Sequence, residues 1–313
     1  MIGFIARRLA AGVVLLAAIS ALAFFLLHLG SGNIARKILG EGATPQTIAQ
    51  ENHRLGLDQS LPAQFGHWAA GALRGNFGVS WFSGQPVMQA ITSRLAVTLS
   101  LVICAVLLAA VLSVILGVLA ATRRGSVDRA TQLLSLLGHA IPGFLIAVFL
   151  VLVFALDLHW FKPTGYVPYT TSLAGWASTV TLPVIALCLG SVAGVTQQIR
   201  GGIIDALRDD YVRTLRSRGL SERRIVLKHV LRNTAGPALA VLAVQFVGLL
   251  GGVVIIEQVF AIPGIGQVAV QAATQGDIPL VMGLVVAVAI IVIIFNLLVD
   301  LAQGWLNPKV RLS

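Results

Sequence analysis

Residues able to do covalent chemistry are few in this 313-residue chain, and none stands in a reactive pattern. Lys37, Lys162, Lys228 and Lys309 are the only lysines and none follows a glycine, so the G-x-x-x-x-G-K-[ST] loop that cradles nucleotide phosphates is missing. Cys104 and Cys188 both fall in apolar runs, at a spacing that suits neither a zinc site nor a redox pair. His28, His53, His67, His159 and His229 are scattered, with no H-E-x-x-H helix, and His139 beside an apolar run reads as a hydrogen-bonded structural residue. Glu257 and Asp300 stand at the ends of apolar runs, where both are expected to be solvated, and no chain of acids and histidines forms a proton relay. No catalytic constellation is therefore read from the sequence, and no cofactor and no metal are expected on this chain.

The docking chemistry is concentrated in Tyr211 to Pro237, YVRTLRSRGLSERRIVLKHVLRNTAGP. Here and just before it Arg208, Arg213, Arg216, Arg218, Arg223, Arg224, Lys228 and Arg232 face only Asp205, Asp209, Asp210 and Glu222, with Val212, Leu215, Leu220 and Ile225 among the apolar positions. That mixture suits amphipathic helices. Gly219 ends one helix and Ser221 is placed to cap the next, so a helix-turn-helix beside the membrane is expected. A basic juxtamembrane loop that sets topology and touches anionic lipid is the plainer alternative.

The elements that must carry this island are set by composition. Mean hydropathy is +0.90, 57% of residues are hydrophobic and only 11% are charged, which describes a polytopic membrane protein. The net charge of +10 flanks apolar runs instead of forming one basic face, so no nucleic-acid partner is expected. Apolar runs near 9–29, 96–121, 132–156, 179–200, 236–257 and 279–302 are each close to the ~20 residues that cross a bilayer core. Six transmembrane helices and an all-α fold follow, because backbone amides in hydrocarbon must bond within their own segment. The first run, with Ala17, Ala21 and Ala23 in it, is too long for a signal h-region and is read as an uncleaved span.

Loop charges orient the spans. The side holding both termini carries Arg7, Arg8, Arg123, Arg124, Arg129, Arg200, the eight cations of the basic island, Lys309 and Arg311, against six on the other side. The positive-inside rule makes that side cytoplasmic. The expected organisation is a cytoplasmic N-terminus and first span over 1–29, an extracytoplasmic segment over 30–95, and a membrane core over 96–302. That core contains the cytoplasmic helices at 205–232 and an outer loop at 258–278, and 303–313 forms a cytoplasmic C-terminus. Within the spans, Gly190 and Gly194, and Gly248, Gly251 and Gly252, are expected to admit close helix approach, while Pro142 and Pro183 are expected to kink their helices. Gln245, Glu257, Gln258 and Asn296 are polar positions that either line a pathway or satisfy a neighbouring helix.

YVRTLRSRGLSERRIVLKHVLRN resembles the cytoplasmic loop of importer-type ABC permeases, in the version of the dipeptide, oligopeptide and nickel permeases. Further resemblances are LGLDQSLPAQFGHW at 55–68, LRGNFGVSWFSGQPV at 73–87, HAIPGFLIAVFLVLVFA at 139–155 and EQVFAIPGIGQVAVQAATQGDIPLVMG at 257–283. The resemblance implies a type I ABC importer permease fold in which Arg213, Leu215, Arg218, Gly219, Leu220, Ser221, Glu222 and Arg223 couple to an ATPase subunit. Thr214 and Leu215 depart from the small residues usual there. It also implies an outer loop or gate at Glu257, Phe260, Pro263, Gly264 and Gly266, in which the prolyl-glycine step and Gly266 are expected to take tight turns with positive φ. Gln245, Gln258 and Asn296 remain the pathway candidates.

The implied partners are a second homologous permease subunit, two ATP-binding subunits that hold ATP and Mg, an extracytoplasmic substrate-binding protein, a peptide substrate and membrane lipid, in a bacterial or archaeal plasma membrane. The same class includes carriers of nickel chelates, glutathione and other small solutes. An ion-coupled secondary transporter is the rival from another class, and it calls for broken helices, midplane charge and an inverted repeat. A membrane-embedded enzyme would need a paired acid, a Ser-Lys pair or a metal motif inside the spans.

Overall fold

Long runs without strand alternation leave the backbone only the helix as a way to satisfy itself in hydrocarbon. The computed structural model describes residues 2–30, 34–40, 42–123 and 125–306, and among these the regular structure is helical, joined by turns and irregular segments, with one isolated antiparallel bridge, Val79 to Pro86. In chain order the helices are α1 (Ile2–Gly30), α2 (Ile34–Leu39), α3 (Pro45–Leu55), α4 (Leu61–Ala72), α5 (Val87–Thr122) and α6 (Ser126–Ala140). Next come α7 (Gly143–Leu150), extended by a π-helical turn over Val151–Asp157, then α8 (Leu173–Ala206) and α9 (Asp210–Ser217). The short α10 (Glu222–Arg224) runs through a π-helical turn, Ile225–Val230, into α11 (Leu231–Val259), and α12 (Ile265–Gln275) and α13 (Ile278–Leu306) complete the chain. Arg124, Lys309 and Arg311, which enter the charge argument, lie outside the described residues.

Among the described residues five helices are long and apolar enough to cross a membrane: Ile5–Leu29, Val87–Thr122, Leu173–Ala206, Glu222–Val259 and Ile278–Leu306. The sixth expected span is not one rod. It is the pair α6 and α7, bent by 98°. The bend sits at Pro142, which lacks an amide proton and disfavours the helical conformation in the residue before it. Ile141 accordingly takes φ −92°, ψ 120°. Pro183 and Pro237, by contrast, lie inside unbroken helices, so the kink expected at Pro183 is not a break. At 1.5 Å per residue the 36 residues of α5 and the 38 of Glu222–Val259 exceed a ~30 Å hydrocarbon core by about 20 Å or more, so each has an end outside it.

The chain divides into two compact units, Met1–Phe4 with Val97–Ile262 and Ile294–Ser313, and Ile5–Ala96 with Pro263–Ile293. In the first, α8 is the central helix and packs against α6, α7 and α11. Small residues set its distances. A Cβ on Gly117 would meet Ile199 Cγ2 at 2.7 Å, and one on Gly138 would meet the Leu189 carbonyl at 3.2 Å. Ser113 donates to the Val192 carbonyl at 3.1 Å, and Phe246 stacks on Phe295 with ring centroids 3.7 Å apart. The start of α6 is tied to α8 by a two-pronged ion pair, Arg200 Nε and Nη2 on the Asp128 carboxylate at 2.5 and 2.8 Å. Such a fork fixes both distance and rotation, and it places α6 before the bend.

The second unit shows how a polar segment can fold against spans. Val87, Ala90 and Ile91 of α5 bury against Ile265, Val268 and Ala272 of α12 and Leu280 and Leu284 of α13. Gly283 permits this contact, since a Cβ there would lie 2.3 Å from Val87 Cγ1. A second cluster joins Phe24 of α1 and Ile34 to Ile278 and Met282, with Phe65, Trp68 and Trp81 packed on it. Residues 34–86 are thus held by apolar contacts to the ends of α1 and α13.

Candidate functional site: the basic turn, the outer loop and the α6–α8–α11 cavity

The basic turn is built by local chemistry. α9 ends with Gly219 at φ +78°, and the Gly219 and Leu220 amides donate to the Arg216 and Leu215 carbonyls at 2.9 and 3.3 Å. This is the Schellman pattern, which needs a left-handed residue that glycine supplies without strain. No atom lies within 4 Å of where a Gly219 side chain would begin. Across the turn Arg216 forks onto Glu222, Nε to Oε1 at 2.6 Å and Nη2 to Oε2 at 3.2 Å. Both partners are exposed, so the pair sets geometry more than it adds stability.

Anchorage comes from the other face. Val212, Ile225 and Val230 are fully buried and Val226 nearly so, while Arg213, Arg218, Gly219, Ser221, Glu222 and Arg223 are exposed and Leu215 and Leu220 half-buried. Ser221 occupies the N-cap position but makes no side-chain cap bond. The expected second helix is also not a separate rod beside the membrane. It continues through the π-helical turn into the fifth span, so that Glu222–Val259 forms one line. A force on the turn therefore reaches the span without crossing a loop.

The outer loop departs from expectation in two respects. Glu257 is completely buried, not solvated, and Thr98 Oγ1 donates to its Oε1 at 2.5 Å. A buried carboxylate is tolerable only when it is hydrogen-bonded, and Thr98 is one of the groups that does this. The strained backbone is also elsewhere: Ala261 has φ 49°, whereas Gly264 has φ −93°, ψ −179° and serves as N-cap of α12, with Gly266 inside that helix. Ala261 takes the left-handed conformation where α11 terminates, with the Ile262 amide on the Glu257 carbonyl at 2.8 Å. Phe260 is buried and its carbonyl accepts from Gly165 at 2.9 Å, tying the end of α11 to the segment before α8. Pro263 is exposed, and Gly264 and Gly266 are buried.

Asp277, not among the residues expected from the sequence to carry function, is a second buried acid. It is fully buried at the N-cap of α13, accepts from Ser80 Oγ at 2.5 Å, and also meets the Trp81 and Leu280 amides at 3.3 and 3.4 Å. The run Gly276-Asp277-Ile278-Pro279 carries the local signal, a helix-ending glycine followed by a capping aspartate and an early helical proline. Its partner Ser80 lies 197 positions away and has no such signal.

Of the pathway candidates, Gln245 lines a cavity of about 380 Å³ beside the α6–α7 bend, with Gly138, Pro142, Gly190, Gly248 and Gly252 among its walls. Gly194 of α8 makes room for it: a Cβ there would stand 2.7 Å from Gln245 Nε2 and 3.6 Å from His139 Nε2. His139, which bonds the Ser135 carbonyl at 3.0 Å, therefore has its free ring edge turned toward this cluster. Gly194 does serve close packing, whereas Gly190 meets only the Gly138 carbonyl at 3.7 Å, Gly252 only Leu187 at 3.8 Å, and Gly248 and Gly251 nothing within 4 Å. Gln258 is exposed and Asn296 half-buried, and neither lines this cavity. The three candidates are thus not brought together. Among the described residues no cluster of His, Cys, Asp and Glu is arranged to hold a metal ion.

Apolar helices, one pair broken and the others continuous, surround a glycine-lined cavity, and an exposed basic turn joins two of them. Residues 110–312 match the family described as binding-protein-dependent transport system inner membrane component, and residues 1–102 match its N-terminal companion. The chain belongs to this family of ABC transporter permeases. It is 37% identical over 309 residues to a probable peptide ABC transporter permease of Sinorhizobium fredii, covering 98% of this chain and 99% of that one. It is 36% identical over 312 residues to a putative peptide transport system permease of Brucella abortus, and 33% identical over 312 to a glutathione transport system permease of Shigella flexneri, each covering 99% of both chains. A chain from inward-facing structures of the MetNI methionine ABC transporter shares the fold at a TM-score of 0.55, with 16% identity, 70% of this chain covered and 97% of that one.

Proposed function

We propose that this chain is one of two permease subunits of an ATP-driven importer for small peptides, with both termini and the 205–232 segment in the cytoplasm. The observation that carries the reading is the basic turn: an exposed, glycine-closed surface continuous with a 38-residue helix that passes the Gln245 cavity. In this reading Arg213, Leu215, Arg218, Gly219, Leu220, Ser221, Glu222 and Arg223 seat in an ATP-binding subunit. ATP and Mg belong to that partner. Closure of two such subunits displaces the turn, and Glu222–Val259 transmits the movement as a rigid lever, with the π-helical turn at Ile225–Val230 as the place where it yields. The free energy comes from the differing ATP contacts of two conformations, so this chain supplies geometry alone.

Peptide as substrate rests on the peptide permeases among the relatives, and an external binding protein would deliver it to the outer side, where residues 257–266 form a gate. The glutathione permease, itself a relative at 33% identity, favours tripeptide-like solutes as a second reading. The test is ATP hydrolysis by the reconstituted complex with its binding protein and a panel of di-, tri- and oligopeptides and glutathione. Peptide-stimulated hydrolysis supports the proposal and ranks the substrates. Uptake that needs an ion gradient and no ATP refutes it.

A further inference from the structure

A second cavity, of about 550 Å³, lies between α5, α8, α11 and the end of α13, and its chemistry differs from that of the Gln245 cavity. Its floor is the buried Val195, Ile199, Ala238 and Leu242, and nothing acidic lines it. At one end stand two cations, Lys228 and Arg232, one helical turn apart and both exposed. Neither forms an ion pair or a side-chain hydrogen bond among the described residues. Trp305, 71% exposed, stands beside the same cavity, and an exposed Trp at a span end marks the level of the bilayer interface.

We infer that this groove is a binding site for one anionic phospholipid, its phosphate held by Lys228 and Arg232 and an acyl chain laid along the apolar floor. The charge is complementary only to an anion, and the floor is complementary only to hydrocarbon, so one amphiphile satisfies both ends. Length agrees. From Leu231 to Leu242, both in the lining, α11 advances about 16 Å, close to the ~15 Å of hydrocarbon in one leaflet. Free inorganic phosphate would leave the floor empty, and a zwitterionic headgroup would bring its own cation to the two basic residues. Because the site abuts the π-helical turn that leads from the basic turn into the fifth span, the lipid would steady the lever where it enters the bilayer. The inference rests on the membrane reading and is independent of what the permease carries.

The test uses the assembled complex in detergent and native mass spectrometry, with phosphatidylglycerol, phosphatidylcholine and inorganic phosphate as probes. Phosphatidylglycerol should be retained in preference to phosphatidylcholine, and Lys228→Gln with Arg232→Gln should weaken its retention about thirtyfold, two cations each contributing at the membrane surface. Lys228→Arg with Arg232→Lys should retain it, which separates charge from folding. Arg123→Gln, exposed just after the end of α5, should change nothing. Equal retention of the two lipids, unchanged retention in the double Gln variant, displacement by millimolar phosphate, or a groove closed to lipid by a partner subunit would each overturn the assignment. Peptide-stimulated ATPase is a separate readout, so failure of the lipid site and failure of the importer reading remain distinguishable.

Discussion

The basic turn and the outer loop are built from opposite materials. At the turn, the backbone is held by its own neighbours, Gly219 on Arg216 and Leu220 on Leu215, and the charged groups pair across six residues in full view of solvent. At the outer loop and beyond it, two carboxylates are fully buried, Glu257 on Thr98 and Asp277 on Ser80, with partners 159 and 197 positions away. The first arrangement keeps a surface available and loses little if altered. The second stakes stability on each bond, because an unpaired group in a dry site costs much more than an exposed ion pair contributes.

The sharpest way to break this contrast is to truncate the buried acids. Asp277→Ala leaves the Ser80 hydroxyl and a helix start unsatisfied and should lower the stability of the purified complex by about 2–3 kcal/mol, with Glu257→Ala of similar size. Thermal unfolding in detergent is the measure, and equal melting temperatures for wild type and both variants would remove the distinction. At the turn the expected loss moves from stability to coupling. Glu222→Arg puts two cations across Gly219 and should shift stability by less than about 1 kcal/mol, while fewer peptides are moved per ATP hydrolysed. Gly219→Ala has space but the wrong φ, about 1 kcal/mol of strain, and should show a weaker version of the same defect.

A smaller effect is expected at His53 and Asp58, exposed and 2.7 Å apart. The hydrogen bond that His53 Nδ1 donates to the Asp58 carboxylate raises the His53 pKa above its ordinary value, and the same bond lowers that of Asp58. The pair is therefore intact from below the usual carboxylate range up to somewhat above pH 6.5. It loses its contribution as pH rises through the raised His53 value, or as pH falls through the lowered Asp58 value. Protection against hydrogen exchange over 45–58, with the intrinsic pH dependence of exchange removed, should be highest between these limits, and protection that is flat across them would show that the pair fixes nothing.

What was legible in the chain follows the same division. The helix end at Gly219 and the break at Pro142 are local effects of single residues on φ or on a missing donor, and they are legible from residue type and position. Glu257 was placed in solvent because it ends an apolar run. Its burial depends on Thr98, which no periodicity brings near it. The positive φ assigned to the prolyl-glycine step belongs instead to Ala261, where the termination of α11 decides the backbone. Gln245 was singled out for polarity alone. Its cavity exists because Gly194 and Gly138 on other helices leave room, a pairing visible only once α6, α8 and α11 are packed.

The central claim, that the basic turn meets the ATP-binding subunit while the outer loop does not, is tested most directly by placing cysteines at two exposed positions, Arg218→Cys and Gln258→Cys, in cells making the whole complex. Arg218→Cys should crosslink to the ATP-binding subunit and resist a membrane-impermeant maleimide added outside, and Gln258→Cys should be labelled by that maleimide and form no such crosslink. Labelling of position 218 from outside, or a crosslink from 258 to the ATP-binding subunit, would contradict the account.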